Sequence, residues 1–254
     1  FTNFNYSDVE INYNSVSPVI VRTGGIGDLL ALSSITSYLK NELKIPSKNI
    51  RFISQSKYKD VFKWYETPVK FIAYFAPLTE NIKNGASKKK MLEKFRPIFF
   101  EGIIENSHDN WFDLQYKHIG IDEFNSDYGV PKLKKKRISK EPSNIDKTKK
   151  SILINTRSTA IIRSMRFEDV YLPLIKIIKD FDCNIYVHKN NLNDVDIDFI
   201  NTLNDDRLKI INAKSLSMFF LDMFDATLCI SVDTAMLHFR AGISKPAIGI
   251  YGAF

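Results

Sequence analysis

Cys229-Ile230-Ser231-Val232-Asp233-Thr234-Ala235-Met236-Leu237-His238-Phe239-Arg240-Ala241-Gly242-Ile243-Ser244-Lys245-Pro246-Ala247-Ile248-Gly249-Ile250-Tyr251-Gly252 reads as strand, tight polar turn, helix and strand. The turn sets the small residues Asp233, Thr234 and Ala235 at a helix N-terminus, where free backbone N–H groups and the helix dipole favour a phosphate. His238 follows Thr234 by about one helical turn and shares its face. The same residues fit a purely structural reading, in which Asp233 caps the helix and His238 packs in the core.

Working outward, the strand-then-helix rhythm extends back to Ser151-Ile152-Leu153-Ile154-Asn155. Strands follow at 184–187, 208–211, 227–230 and 246–251, with helices at 168–180, 196–203, 217–225 and 235–241. The stretch 131–150 carries two prolines and a run of like charge, as a linker between domains does, and a boundary near 145 follows. Before it, Val19-Ile20-Val21-Arg22 opens a β-loop-α unit running to Leu39, with strands at 51–54 and 69–75 and a short helix at 57–64. Residues 88–105 read as a helix that Pro97 should kink or break. Alternating β and α predicts parallel sheets covered on both faces, in two facing Rossmann-like domains, 1–145 and 146–254. Residues 1–17 look extra, and the chain starts without methionine and stops straight after a strand, which predicts truncation at the C-terminal end.

The first loop has its own chemistry. A strand ending at Thr23 runs into Gly24-Gly25-Ile26-Gly27-Asp28 and an apolar helix, so small residues fall where the backbone turns sharply and a ligand can approach. Asp28 lies at the helix start, where the dipole favours its charge and capping is a sufficient reason for it. A dinucleotide fingerprint is the rival functional reading. Gly25-x-Gly27 fits its start, but Leu30 takes the third glycine position, and an aspartate there would repel pyrophosphate.

Composition narrows the class. The chain has 254 residues, 44% of them hydrophobic, enough to bury a sizeable core. No apolar run reaches membrane-spanning length, and the polar opening is not a signal peptide, so a soluble cytoplasmic protein is expected. Nine lysines and arginines against Glu141 and Asp146 give 131–150 a net charge of +7, equal to that of the whole chain. Nucleic-acid binders spread positive charge over a folded face, so this concentration argues against such a partner. It suits a solvated linker or peripheral contact with anionic membrane. Cys183 and Cys229 sit in apolar strands and read as buried thiols. Asp196-Ile197-Asp198 spells a metal-holding pair but falls at a helix start, where acidic residues are expected anyway. His108, His118 and His188 have no partner spacing and read as surface or turn residues.

Together the two loops resemble the ADP-heptose:lipopolysaccharide heptosyltransferases of glycosyltransferase family 9. The likeness is carried by strand-Gly24-Gly25-Ile26-Gly27-Asp28-helix and by Ser231-Val232-Asp233-Thr234-Ala235 with His238, Ala241, Lys245, Pro246 and Tyr251-Gly252. Arg157 to Phe167 is a third, weaker match, with Arg163 on the family's phosphate-facing lysine. Ser34, Ala235 and Ala253 depart from the family's proline, glycine and proline. The resemblance implies a GT-B fold and metal-independent transfer of a heptose-like sugar from a nucleotide-sugar, ADP-sugar first, to a saccharide or glycolipid hydroxyl. Asp28 is then the base, with Arg163, Asp233, Thr234, Ala235 and His238 at the donor phosphates, Gly24, Gly25 and Gly27 beside the cleft, and no cofactor or metal. The cytoplasmic location expected from composition then combines with peripheral contact at the inner membrane through 131–150. A non-catalytic nucleotide-binding relative and sugar transfer onto nucleic acid stay open as alternatives.

Overall fold

Val19–Val21 (β1) is three consecutive β-branched residues, all buried, as a strand covered on both faces must be. The computed structural model describes residues 17–74, 98–100, 110–158 and 161–251, and divides them into two compact units, up to Lys134 and from Lys135 onward.

In the first unit β1 pairs in parallel with Arg51–Gln55 (β2), which pairs in parallel with Lys70–Tyr74 (β3). On its other side β1 takes Ile98–Phe99 (β4), giving the order β3-β2-β1-β4. These two residues fall inside the span read as a helix from sequence. Ile98 pairs with Ile20 and Phe99 with Val21, so a two-residue apolar strand stands there, too short to declare a period of its own. Phe100 follows β4 as a buried, non-helical residue, and the rest of that expected helix, Pro97 included, lies outside the described residues. The chain leaves β1 through Ile26–Ala31 (α1), which bends at Leu32 into Ser33–Asn41 (α2). Lys59–Lys63 (α3) and Trp111–His118 (α4, capped by the Asn110 side chain) complete the helices described in this unit. Its core is Ile20, Leu29, Leu30, Phe52, Phe62, Trp64 and Tyr65, all buried.

The second unit repeats the plan. Lys150–Asn155 (β5), Cys183–His188 (β6), Leu208–Ile211 (β7), Leu228–Val232 (β8) and Ala247–Ile250 (β9) form one parallel sheet in the order β7-β6-β5-β8-β9. Phe167–Ile177 (α5), Asp194–Thr202 (α6), Leu216–Asp225 (α7) and Ala235–Gly242 (α8) lie between these strands in sequence. Ile152, Ile154, Phe167, Tyr171, Ile185, Val187 and Ile230 make one continuous apolar cluster. Cys183 and Cys229 are buried free thiols, as expected. The two units divide about ten residues ahead of the boundary read from sequence, so most of the basic stretch belongs to the second. There Arg137 and Lys147 pair with Asp225, Lys149 pairs with Asp182, and Ile145 is buried.

Candidate functional site

Strand order singles out one end of the second sheet as a candidate ligand position. From β5 the chain moves outward to β6 and β7, then returns to place β8 on the opposite side of β5. Loops leaving β5 and β8 therefore diverge at their C-terminal ends, and a crevice at such a reversal is the general ligand position of open α/β sheets.

Three polar side chains meet there. Asn155, the last residue of β5, donates from Nδ2 to Thr234 Oγ1 at 3.0 Å and to Ser231 Oγ at 3.3 Å. Ser231 Oγ and Thr234 Oγ1 are 2.8 Å apart. Thr234 is the N-cap of α8, its hydroxyl accepting from Met236 N at 3.3 Å, so the cap is Thr234 and not Asp233. Asp233, one residue earlier, points its carboxylate elsewhere: Arg163 Nη1 donates to its Oδ2 at 3.0 Å. Ala235 opens the helix, and His238, partly buried, sits one turn along. The structure thus brings Arg163 and Asp233 together and gives Thr234 a firm place.

Arg163 lies in a 3₁₀ turn, Ile161–Arg163, on the loop between β5 and α5. That loop is tied at both ends, by Met165 N to Thr156 O at 2.8 Å and by Ser158 N to Ser164 Oγ at 3.0 Å. Behind it Asp196 is buried, and Arg157 reaches its Oδ2 with Nε at 3.1 Å and Nη2 at 2.5 Å. Asp196 also accepts from Phe167 N and Asn193 N, closing a capping box with Asn193 at the start of α6. Of the acidic pair at 196 and 198, Asp196 therefore serves the helix start. Among the described residues no group of three or more His, Cys, Asp and Glu is placed to hold a metal ion.

His188 corrects the sequence reading. It is buried at the end of β6, its Nε2 2.9 Å from Asp222 Oδ2 on α7, and Asp222 also accepts from Asn144 N and Nδ2. The partners stand 34 and 78 residues from one another across the fold, so no spacing in the sequence announces them. His108 lies outside the described residues; His118 is partly buried, with its ring edge-on to Phe100 at 5.3 Å.

In the first unit Asp28 occupies the first turn of α1 but does not cap it. The N-cap is Gly25, and no side chain serves that cap. The Asp28 carboxylate instead folds back over Gly25 and forms an ion pair through Oδ2 with Arg22 Nη2. Gly25 has φ +71°, and a Cβ placed on it would lie 2.8 Å from Asp28 Cγ, so the glycine is required twice over. A side chain on Gly24 would meet open space, and Gly27 sits in ordinary helical backbone. Of the three glycines, Gly25 alone is demanded by backbone and packing.

Arg22, which sequence reading left as a strand residue, holds this corner. It donates from Nε to Gly24 O at 3.2 Å and from Nη1 to Phe100 O at 2.9 Å besides its pair with Asp28, and its side chain is only 15% exposed. A basic residue closing a strand six positions before the loop carboxylate was the available signal.

Parallel sheets with a strand-order reversal and a polar-capped helix at its mouth define the Rossmann-like α/β class. Within it, the chain belongs to glycosyltransferase family 9 (heptosyltransferase), whose family model matches residues 86–254. It is a glycosyltransferase, as the two loops led one to expect, although Asp28 itself precedes the matched region. No curated protein matches the chain. Among solved structures, the family 9 glycosyl transferase of Veillonella parvula is similar at TM-score 0.64 and 12% identity, covering 93% of this chain and 80% of that one. E. coli heptosyltransferase WaaC with ADP is similar at 0.60 and 15%, covering 93% and 87%. E. coli ADP-heptose lps heptosyltransferase II is similar at 0.58 and 12%, covering 92% and 85%. Among the described residues no helix is long and apolar enough to cross a membrane.

Proposed function

We propose that this glycosyltransferase moves a heptose-like sugar from an ADP-sugar to a hydroxyl of a lipopolysaccharide-type saccharide, with Asp28 as base and no divalent ion. Asp28 takes the acceptor hydroxyl's proton as that oxygen bonds to the anomeric carbon. The bond from that carbon to the phosphate oxygen breaks, and the nucleotide diphosphate leaves with the electron pair. Arg163 and the N–H groups opening α8 meet the negative charge gathering on that phosphate, the role pre-placed donors serve best.

The observation that carries this reading is the Arg163 and Asp233 pair beside the capped start of α8, at the strand-order reversal of a family 9 chain. Arg163 presents a guanidinium fork where a lysine would present a point charge, and that fork suits a diphosphate. The Asp196 carboxylate is committed to Arg157 and the α6 cap, which supports phosphate neutralisation by protein cations. ADP as donor nucleotide is supported by the ligands and names of the E. coli structures. The exposure of Lys135, Lys136 and Lys140 supports peripheral contact with an anionic membrane surface through this stretch.

The test pairs a thermal-shift panel of ADP, GDP and UDP with an assay of ADP release from ADP-heptose, with and without a deacylated lipopolysaccharide core acceptor. A nucleotide at 100 times its dissociation constant should stabilise the fold by about 2.7 kcal/mol. ADP stabilisation with acceptor-dependent release supports the proposal; binding without release leaves a nucleotide-binding protein, and GDP or UDP preference removes the ADP assignment.

A further inference from the structure

We infer that Arg22 is a positioning residue for the Asp28 carboxylate, an inference that rests on Asp28 being the base. Two alternatives for the carboxylate are excluded by geometry: it does not cap α1, whose N-cap is Gly25 without a side-chain partner, and it is not swung outward, because it packs over Gly25. What holds it there is Arg22. The guanidinium is itself immobilised by two backbone carbonyls, Gly24 O in the loop and Phe100 O just past β4. Phe100 N in turn donates to Val21 O at 3.0 Å, so the anchor and the strand carrying Arg22 are one hydrogen-bonded unit.

This arrangement fixes an atom. Oδ2 is taken by Arg22, which leaves Oδ1 outside the ion pair as the oxygen that receives the proton. A carboxylate with two rotatable bonds samples several rotamers, and most of them point it away from any one acceptor hydroxyl. Clamping one oxygen to a guanidinium that cannot move selects the productive rotamer before substrate arrives. The glycine at 25 completes the device, since any Cβ there would occupy the carboxylate's place. Arg22, Gly25, Asp28 and Phe100 O therefore act as one support, with Asp28 alone touching the reacting atoms.

The experiment is a double-mutant cycle on kcat and KM, using Arg22→Met, Arg22→Lys, Asp28→Asn and the Arg22→Met/Asp28→Asn pair in the full chain. A displaced catalytic group costs about 100-fold in rate, so Arg22→Met should lower kcat by about that factor while KM for the ADP-sugar stays within about twofold. Arg22→Lys keeps the charge without the fork and should recover about tenfold of the loss. In the Asp28→Asn background, Arg22→Met should cost less than about threefold more, because residues acting through one group are not additive. A full multiplicative loss in the pair, or unchanged kcat in Arg22→Met, overturns the inference. Wild-type turnover by Asp28→Asn is a separate result, which removes the base and this role with it. Should Arg22→Met not fold, Arg22→Lys alone and with Asp28→Asn decides by the same non-additivity.

Discussion

Arg163 Nη1 lies 3.0 Å from Asp233 Oδ2, joining two loops 70 residues apart in sequence. Both side chains keep more than a third of their surface exposed, so the pair contributes little to stability and is open to exchange. Arg163→Ala should change unfolding free energy by less than about 1 kcal/mol. A hydrogen bond to a charged group is worth about 1.5–3 kcal/mol, so the same variant should weaken ADP binding at least about tenfold. Calorimetric titration decides, and an unchanged dissociation constant takes Arg163 out of the donor site.

Asp28→Asn keeps size and shape but removes the proton acceptor. Turnover should fall by about 100-fold or more. ADP affinity and thermal midpoint should stay near wild type, since the residue is on α1 and the proposed phosphate groups are in the other unit. Undiminished turnover removes Asp28 from the mechanism.

Gly25→Ala tests the corner from the other side. Its φ of +71° costs an L-residue about 1–2 kcal/mol, and the new methyl meets the Asp28 carboxylate. We expect a destabilisation of at least that size together with a fall in kcat, whereas Gly24→Ala should be nearly silent in both. A silent Gly25→Ala in a urea melt and a turnover assay contradicts the packing described.

Asp196→Ala strands Arg157 and removes one half of the capping box of α6, leaving Asn193 as its N-cap. Removing one partner of a buried ion pair costs about 3–5 kcal/mol, and the partial exposure of Arg157 puts the expected loss near the lower end. EDTA should leave the wild-type midpoint unmoved. A midpoint that falls with chelator and returns with Mn²⁺ would reassign the acidic pair to a metal.

Acid stability follows from Asp205. Arg207 donates to it from Nε and Nη2, and with Tyr171 holds its carboxyl down at about 2 against an ordinary 3.8. Asp225 is lowered as well: burial pushes it up, but Ser143, Lys147 and Arg137 together outweigh that. A carboxyl depressed in the folded state contributes stability that is complete above its unfolded value and fades as pH falls through the folded one. Urea midpoints should therefore hold down to about pH 4 and decline between about 4 and 2. Asp205→Asn should lower the neutral plateau and flatten that decline; an unchanged slope in that variant refutes the assignment.

Strands of continuous aliphatic residues, such as Val19–Val21 and Ile152–Ile154, were legible because burial on both faces leaves a run that nothing else explains. So was Thr234 at a helix start, where local chemistry and local sequence coincide. What stayed hidden depends on distant partners. His188 looks solitary until α7 brings Asp222 to it, and Asp196 looks like half a metal site until Arg157 arrives from β5. Arg22 needed Phe100, 78 residues on, to become more than the end of a strand. The Ile98–Phe99 strand was concealed by its length, since two residues show no periodicity.

The Asn155, Ser231 and Thr234 triangle has a consequence in time. It joins Asn155, the last residue of β5, to Ser231 near the end of β8 and to Thr234, the N-cap of α8, through direct side-chain bonds. The amides of α8 should thus be slow to exchange with deuterium before any nucleotide arrives, and slow down little more when it does. Ordering of that helix is completed during folding, so the phosphate of the proposed donor would meet a finished surface, with the entropy of shaping it already spent.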